Sequence, residues 1–243
     1  LPVPLTLIVT NGAAVKTKAG ATLVCHALGR LTAREILNRT PEYAEDVAIV
    51  FDYDPGSDVA EPGGERRQVV FERMDWSVPN RKGYYEKNKA FIASSAGPLV
   101  EAITTDPIQV MFNGGVEAMR TLAAFLKTLP CRRDISVALT EYPKRDFSLV
   151  DVNRAGCSKG TTLARWAAER GWSAEEVMAV GDNLNDVEML DFAGSAFLMD
   201  NAEDQLKSRG YQRTGSNDEG GLASAVQRML DEMQRRTDAR MRE

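Results

Sequence analysis

The sequence predicts an α/β protein: a parallel sheet covered by helices in its C-terminal part, preceded by a larger mixed α+β region. Three observations carry that prediction. From Lys159 onward, helix-like and strand-like segments alternate in quick succession, the rhythm of parallel strands joined by helical crossovers. Between about residues 15 and 153, short β-forming runs occur in hairpin-like pairs around few helical stretches. The 243 residues, 43% hydrophobic and 27% charged, hold enough apolar material for one large domain or two smaller ones.

Composition narrows the chemistry. The chain has 30 Lys+Arg against 35 Asp+Glu, a formal charge of −5, and a single histidine, His26. Multi-histidine zinc sites are excluded, as are histidine-dependent triads placed anywhere but around His26. Cys25 and His26 are neighbours on an expected strand, so their side chains point to opposite faces rather than towards each other. Cys25, Cys131 and Cys157 are scattered and odd in number, which fits a reducing cytoplasm better than a disulfide framework. No apolar run approaches the ~20 residues that cross a bilayer, and no secretory signal is visible at the start. The first residue is Leu1 rather than methionine, which suggests a processed chain or part of a longer one.

The elements follow in order. Pro4 to Thr10 (PLTLIVT) reads as a buried strand running into an Asn11-Gly12 turn, and Ala21 to Ala27 as a second strand. Thr32 to Asn38 reads as a short helix with Thr32 as N-cap. Asp46 to Tyr53 is a strand broken by Asp54-Pro55-Gly56, Gly56 to Gly64 a loop, and Gln68 to Glu72 another strand. The segment from Trp76 to Gly97 shows no clear period. Ile108 to Phe112 is a strand; Val116, Met119, Leu122, Ala123, Leu126 and Leu129 then recur at helical spacing up to Pro130. Ile135 to Leu139 and Phe147 to Val152 are two further strands.

After Gly156 the rhythm changes. A helix from about Lys159 to Arg170 ends at Gly171, and Ser173 and Glu176 stand at capping-box spacing. The strand Val177 to Val180, the helix Asn185 to Phe192, the strand Ala196 to Met199 and the helix Glu203 to Arg209 follow. A last helix from Leu222 carries an apolar face through Ala225, Val226, Met229 and Met233 into a charged tail.

Two places carry chemistry. In VMAVGDNLNDVEML (177–190) an apolar strand runs into Gly181, and Asp182 and Asp186 bracket Asn183 and Asn185. Ligands of parallel α/β sheets bind at the carboxyl ends of strands. A carboxylate there suits a hard cation such as Mg²⁺, which keeps several waters. Asn185 and Asp186 could hold a phosphate or orient the first ligand; equally, Asp182 and Asp186 could do no more than cap the next helix. The second place is Lys159, at a helix start. A cation gains nothing from the helix dipole there, whereas a phosphate would. An ordinary solvated lysine is the alternative. Asp182 lies 23 residues beyond Lys159, at the end of the next strand, so one helix-strand unit can bring both to the same sheet edge.

SKGTTL, EEVMAVGDNLNDVEMLDFAGSAFLMDNAEDQLK and SNDEGGLASAVQRML together closely resemble the C-terminal core of haloacid dehalogenase (HAD) superfamily phosphatases of the Cof type. PLTLIVTNGAAV looks like the core strand and turn leading into that family's α+β cap, and DPIQVMFNG like a later part of the cap. The resemblance implies a Rossmannoid α/β core with an inserted cap: residues 1–14 and 154–243 from the core, 15–153 from the cap. It also implies a Mg²⁺-dependent phosphatase acting on a small phosphorylated metabolite such as a sugar phosphate. By resemblance Lys159 steadies nucleophile and phosphate, Asp182 ligates Mg²⁺, Asn185 contacts phosphate or metal-bound water, and Asp186 supports the metal from behind. Asp200, in MDNA, departs from the family's usual glycine.

A larger departure concerns the nucleophile. The family uses a strand ending in Asp-x-Asp-Gly-Thr, then a phosphate-binding Ser/Thr, both ahead of the Asn-Gly-Ala turn. Here that turn stands at Asn11, so both motifs are expected upstream of this chain, which would then be inactive alone. With its first core strand absent, the chain is also expected to fold less stably and to aggregate. Asp52-Tyr53-Asp54 mimics the nucleophile motif, but Pro55 stands where glycine is needed, and only Ser94 and Ser95 could serve as its Ser/Thr; Asp52 and Asp54 are therefore expected in the cap. Trp76, Tyr84, Tyr85 and Phe91 interleave with Arg81, Lys82, Lys87 and Lys89. They suit a specificity surface better than a nucleic-acid patch on an acidic chain. A catalytically incomplete binding domain remains the competing reading.

Overall fold

The computed structural model describes residues 6–53 and 68–240; the expected loop Gly56 to Gly64 and Asp54 lie outside them. The chain divides into two compact units, residues 1–162 and 163–243.

The first unit opens with an antiparallel meander, β1 (Thr6–Val9), β2 (Ala14–Thr17) and β3 (Thr22–Cys25), in that spatial order. β1 was expected to be buried. Instead its residues are exposed or half-exposed, because it is the outer strand of this small sheet; the buried residues are Ala14, Val15 and Lys16 of β2. Helix α1 (Arg30–Arg39) begins earlier than expected, and Thr32 is not its cap. Gly29 takes that place, and the side chain of Asp106 accepts the Arg30 N–H at 2.8 Å. A distant carboxylate thus satisfies one of the donors that a helix start leaves open.

Six strands form the main sheet of this unit: β4 (Val47–Val50), β5 (Val69–Phe71), β6 (Ile92–Ser94), β7 (Gln109–Gly114), β8 (Ile135–Tyr142) and β9 (Phe147–Arg154). Their order is β6-β5-β4-β7-β9-β8, antiparallel throughout except for β5 with β6. The alternation of strand side chains splits the sheet into two faces. Val47, Ile49, Val70, Val110, Phe112, Val150 and Val152 line one. They pack on α1, on the short α3 (Leu99–Ala102) and on α4 (Val116–Leu126) to make the core. The other face turns polar towards β9, where Gln109, Asp151 and Asn153 stand on it.

The unplaced segment contains α2 (Pro79–Asn88), which has too few apolar residues to show a period; Pro79 marks its first turn. α4 stops at Leu126, short of Leu129, because the chain tightens there: Thr128 N–H donates to Phe125 O at 2.8 Å, and a 3₁₀ turn starts at Pro130.

Helix α5 (Lys159–Ala168) leads into the second unit, and Gly171 follows it at φ +71°. The capping box at Ser173 and Glu176 is present. β10 (Met178–Gly181), β11 (Ser195–Leu198) and β12 (Gln212–Arg213) form the parallel sheet in that order. A 3₁₀ turn, Leu184–Asp186, enters α6 (Val187–Phe192). The helix expected over 203–209 shrinks to a turn at Asp204–Leu206, since Leu206 is the only apolar anchor in that stretch. α7 (Gly221–Arg240) buries Ala225 and half-buries Met229, but Val226 and Met233 of its expected apolar stripe are exposed, as are Leu222 and Leu230 beside it. No helix among the described residues is long and apolar enough to cross a membrane.

Candidate functional site

In the second unit, the end of β10 is built around one buried carboxylate. Asp186 Oδ2 accepts the backbone N–H of Asp182 at 3.0 Å and of Asn183 at 3.1 Å. Asn183 in turn caps the same turn, its Oδ1 accepting the Leu184 N–H at 2.8 Å. Gly181 is required by this arrangement, because a Cβ there would stand 2.6 Å from the Asp186 Cβ. Asp186 thus closes the capping box of the Leu184–Asp186 turn, and its side chain makes no cap hydrogen bond to α6. Asp182 does not cap. Its side chain is half-exposed at the carboxyl end of the strand, where Oδ2 accepts from Asn201 Nδ2 at 2.9 Å. Asn185 lies half-buried in the same turn.

Asn201 was not singled out from the sequence. It links the Asp182 carboxylate to the loop before α7, since its own Oδ1 accepts the Asn217 N–H at 2.9 Å. Asp200 beside it pairs with Arg213 at 2.7 Å on the surface.

The donor set can be weighed for Mg²⁺. Among the described residues, no three His, Cys, Asp or Glu side chains converge as a ready metal cage. Mg²⁺ commonly takes one or two carboxylates and completes its shell with water and substrate phosphate. A half-exposed aspartate held in place by its own backbone fits that habit.

In the first unit, Lys159 is the opening residue of α5. Ser158 and Thr161 close the helix start reciprocally: Thr161 N–H donates to Ser158 Oγ at 3.0 Å and Ser158 N–H to Thr161 Oγ1 at 2.9 Å. The Thr10–Gly12 turn is seated on this helix start. Thr162 Oγ1 donates to Gly12 O at 2.8 Å, and a Cβ at Gly12 would lie 2.1 Å from the Ser158 carbonyl oxygen. Next to it, Asn11 Nδ2 donates to Asp151 Oδ2 at 2.7 Å. Asp151 is buried, and desolvation pushes its carboxyl up to about 7, although the Asn11 hydrogen bond and the Lys159 charge pull the other way. Asp151 and Asn11 were missed in the sequence. The available signal was the polar alternation of Asp151 and Asn153 inside an otherwise apolar strand.

Asp52 is committed elsewhere. Lys16, almost fully buried, reaches Asp52 Oδ1 at 2.6 Å, Thr22 Oγ1 at 2.7 Å and the Tyr53 carbonyl at 2.8 Å, while Thr22 Oγ1 donates to Asp52 Oδ2 at 2.8 Å. Lys16 thus donates two hydrogen bonds and pairs by charge with Asp52, whose Oδ2 also accepts from Thr22. Burial and then the Asp52 charge push the nearby Cys25 thiol up, away from thiolate chemistry. Of the aromatic and basic segment around α2, Trp76, Tyr85 and Arg81 are engaged in packing and hydrogen bonds, whereas Lys82, Tyr84, Lys87 and Lys89 are exposed. Trp76 sits against Phe71 and Tyr85, each with ring centroids 4.8 Å apart, and buried Arg81 binds Asp46 and both side chain and carbonyl of Asn113. A cavity of about 580 Å³ lined by Asp46, Arg81, Gly115, Arg145 and Asp146, among others, shares no residue with the Asn11–Asp151–Lys159 group.

Lys159 belongs to the first unit, and Asp182, Asn185 and Asp186 to the second; each group stands as described within its own unit.

The family model of the haloacid dehalogenase-like hydrolases matches residues 1–226. Pyridoxal phosphate phosphatase YbhA of Escherichia coli (strain K12) is 43% identical over 77 residues, which are 32% of this chain and 28% of that protein. The 5-amino-6-(5-phospho-D-ribitylamino)uracil phosphatase YcsE of Bacillus subtilis (strain 168) is 39% identical over 77 residues, 32% of this chain and 31% of that protein. The match thus spans under a third of either curated relative. In fold, the chain is similar to SMU.1108c from Streptococcus mutans UA159, with a TM-score of 0.73, 17% identity, and coverage of 93% of this chain and 77% of that one. The chain belongs to the haloacid dehalogenase-like hydrolase family.

Proposed function

We propose that the protein is a Mg²⁺-dependent phosphatase of the Cof type that hydrolyses a small phosphate monoester. In this reading residues 15–153 are its α+β cap, and 1–14 and 154–243 come from its core. The observation that carries the reading is the end of β10, where buried Asp186 fixes the Asp182 backbone and leaves the Asp182 carboxylate at the strand end. Asp182 and water would hold Mg²⁺, with Asp186 supporting from behind. The metal, when bound, offsets the charge that builds on the phosphoryl oxygens. Lys159 holds the phosphoryl group at the N-terminus of α5, where the helix dipole also favours an anion. Asn185 orients the phosphate or a bound water. An aspartate nucleophile attacks phosphorus, the ester P–O bond breaks, and the leaving oxygen takes a proton; water then releases the phosphate.

The 243 residues contain no Asp-x-Asp-Gly-Thr. That observation favours a second reading, a binding domain that keeps the fold and takes phosphate without turning it over. The substrates of the relatives, pyridoxal phosphate and 5-amino-6-(5-phospho-D-ribitylamino)uracil, are the first to assay. Mg²⁺-dependent phosphate release by the whole protein, abolished in Asp182→Asn and Lys159→Met, is the expected result. Phosphate release undiminished in both variants would overturn these assignments, and binding without release would favour the second reading.

A further inference from the structure

We propose that Asn201 is a positioning residue: it occupies one oxygen of the Asp182 carboxylate, so that Asp182 offers a cation a single oxygen and the site takes Mg²⁺ in preference to Ca²⁺. The proposal rests on the reading of Asp182 as the residue that holds Mg²⁺.

Three segments of the second unit meet at this carboxylate. The end of β10 supplies Asp182, whose N–H is held by Asp186. The segment leaving β11 crosses over it. Met199 N–H donates to Gly181 O at 3.0 Å and Glu203 N–H to Asp182 O at 3.4 Å, which sets Asn201 beside the Asp182 side chain. The third segment is the loop from β12 to α7. It is tied to β11 where Thr214 N–H donates to Leu198 O at 3.1 Å. It is closed on itself by the Thr214 hydroxyl, which donates to Gly221 O at 2.7 Å, and by the capping box of Ser216 and Glu219. That loop presents the Asn217 N–H to Asn201.

The amide of Asn201 can face only one way between these partners. A backbone N–H only donates, so it meets the amide oxygen; an ionised carboxylate only accepts, so it meets the amide nitrogen. Both hydrogen bonds are 2.9 Å long. Asp182 Oδ2 is thereby taken, and Oδ1 is left for a cation.

A carboxylate limited to one oxygen suits the two ions differently. Mg²⁺ demands near-ideal octahedral geometry and keeps several waters, so one oxygen from the carboxylate serves it. Ca²⁺ takes about 6–8 oxygens and often binds a carboxylate through both of its own. Asn201 therefore withholds from Ca²⁺ an oxygen that Mg²⁺ does not need. Removing a group that orients a metal ligand in this way typically costs about 10–100-fold in metal affinity.

Two variants test the proposal. Asn201→Ala removes the amide. Asn217→Pro keeps Asn201 and Asp182 and removes only the N–H that holds the amide. The fold accommodates proline there, because residue 217 opens a 3₁₀ turn and Ser216 before it is extended, at φ −67° and ψ 166°. The full chain is titrated with MgCl₂ and, separately, with CaCl₂, and the backbone amides of Asp182 and Asn183 are followed by NMR. Wild type is expected to prefer Mg²⁺, and both variants to lose about tenfold of that preference. A general loss of order weakens both ions alike, so the ratio of the two affinities separates positioning from structure. A ratio shifted towards Ca²⁺ in Asn201→Ala sustains the proposal; should that variant fail to fold, Asn217→Pro decides in its place. An unchanged ratio overturns the proposal and leaves Asp182 as the metal-holding residue. Wild-type amides that do not respond to Mg²⁺ overturn the phosphatase reading, and the proposal with it.

Discussion

Asp186 Oδ2 holds the backbone N–H of Asp182 at 3.0 Å, so the residue that ends β10 is fixed by a carboxylate four positions later. Because Asp186 also accepts from Asn183, one buried side chain satisfies two backbone donors. Hydrogen bonds to a charged acceptor contribute about 1.5–3 kcal/mol each, and an N-cap substitution costs about 0.5–2 kcal/mol. Asp186→Ala should therefore destabilise the protein by about 2–4 kcal/mol, measured by urea unfolding, with Asp186→Asn intermediate.

Gly12 and Gly171 both have positive φ, but only Gly12 is pressed against another backbone. Gly171→Ala meets nothing within 4 Å and should cost about 1–2 kcal/mol, the price of the left-handed region alone. Gly12→Ala must also displace the Ser158 carbonyl, and should cost more than about 3 kcal/mol or prevent folding. Parallel thermal melts of the two variants would separate the effects; equal losses would mean that the Gly12 contact is not close.

Burial raises the Asp151 carboxyl from 3.8 to about 7, so the native state binds its proton more tightly than the unfolded chain does. The stability this group contributes is complete below about pH 4 and is lost as pH rises through about 7. Asp151→Asn, which cannot ionise, should gain on wild type as pH rises from 4 to 8. Denaturant midpoints of both proteins across that range check the sign. A difference that stays flat would show that the carboxyl is not buried as described.

The Lys16–Asp52 pair predicts a non-additive pattern. Lys16→Met leaves Asp52 in a poorly solvated place without its cation and should cost about 3 kcal/mol. The double variant Lys16→Met with Asp52→Asn should recover part of that loss. Asp52→Ala should leave phosphate binding unchanged, which separates this structural carboxylate from the site at Asp182.

Much of this was legible in the sequence for physical reasons. The strand ending at Gly181, the Asn- and Asp-rich turn after it and the helix opening at Lys159 are local patterns, and the structure has all of them. A short apolar run such as residues 6–9 reads the same whether it becomes a buried strand or the outer strand of a meander, which is why β1 was misjudged. α2 hid because its sequence is polar, and the stretch 203–209 forms only a turn at 204–206 because one leucine does not make an apolar face. The relationships least visible were the distant ones. Asn11 meets Asp151 across 140 positions, and Asp106 caps α1 from 76 positions away. No window along the chain contains such pairs.

The phosphatase reading proposed above takes Lys159 as a phosphate-holding residue and Asp182 as a Mg²⁺-holding one, each within its own unit. Titration of the 243-residue chain with inorganic phosphate, with and without Mg²⁺, tests it most directly. Binding that requires Mg²⁺ and is lost in both Lys159→Met and Asp182→Asn is the result the account predicts. Binding unaffected by either substitution, or by removal of Mg²⁺, would contradict it.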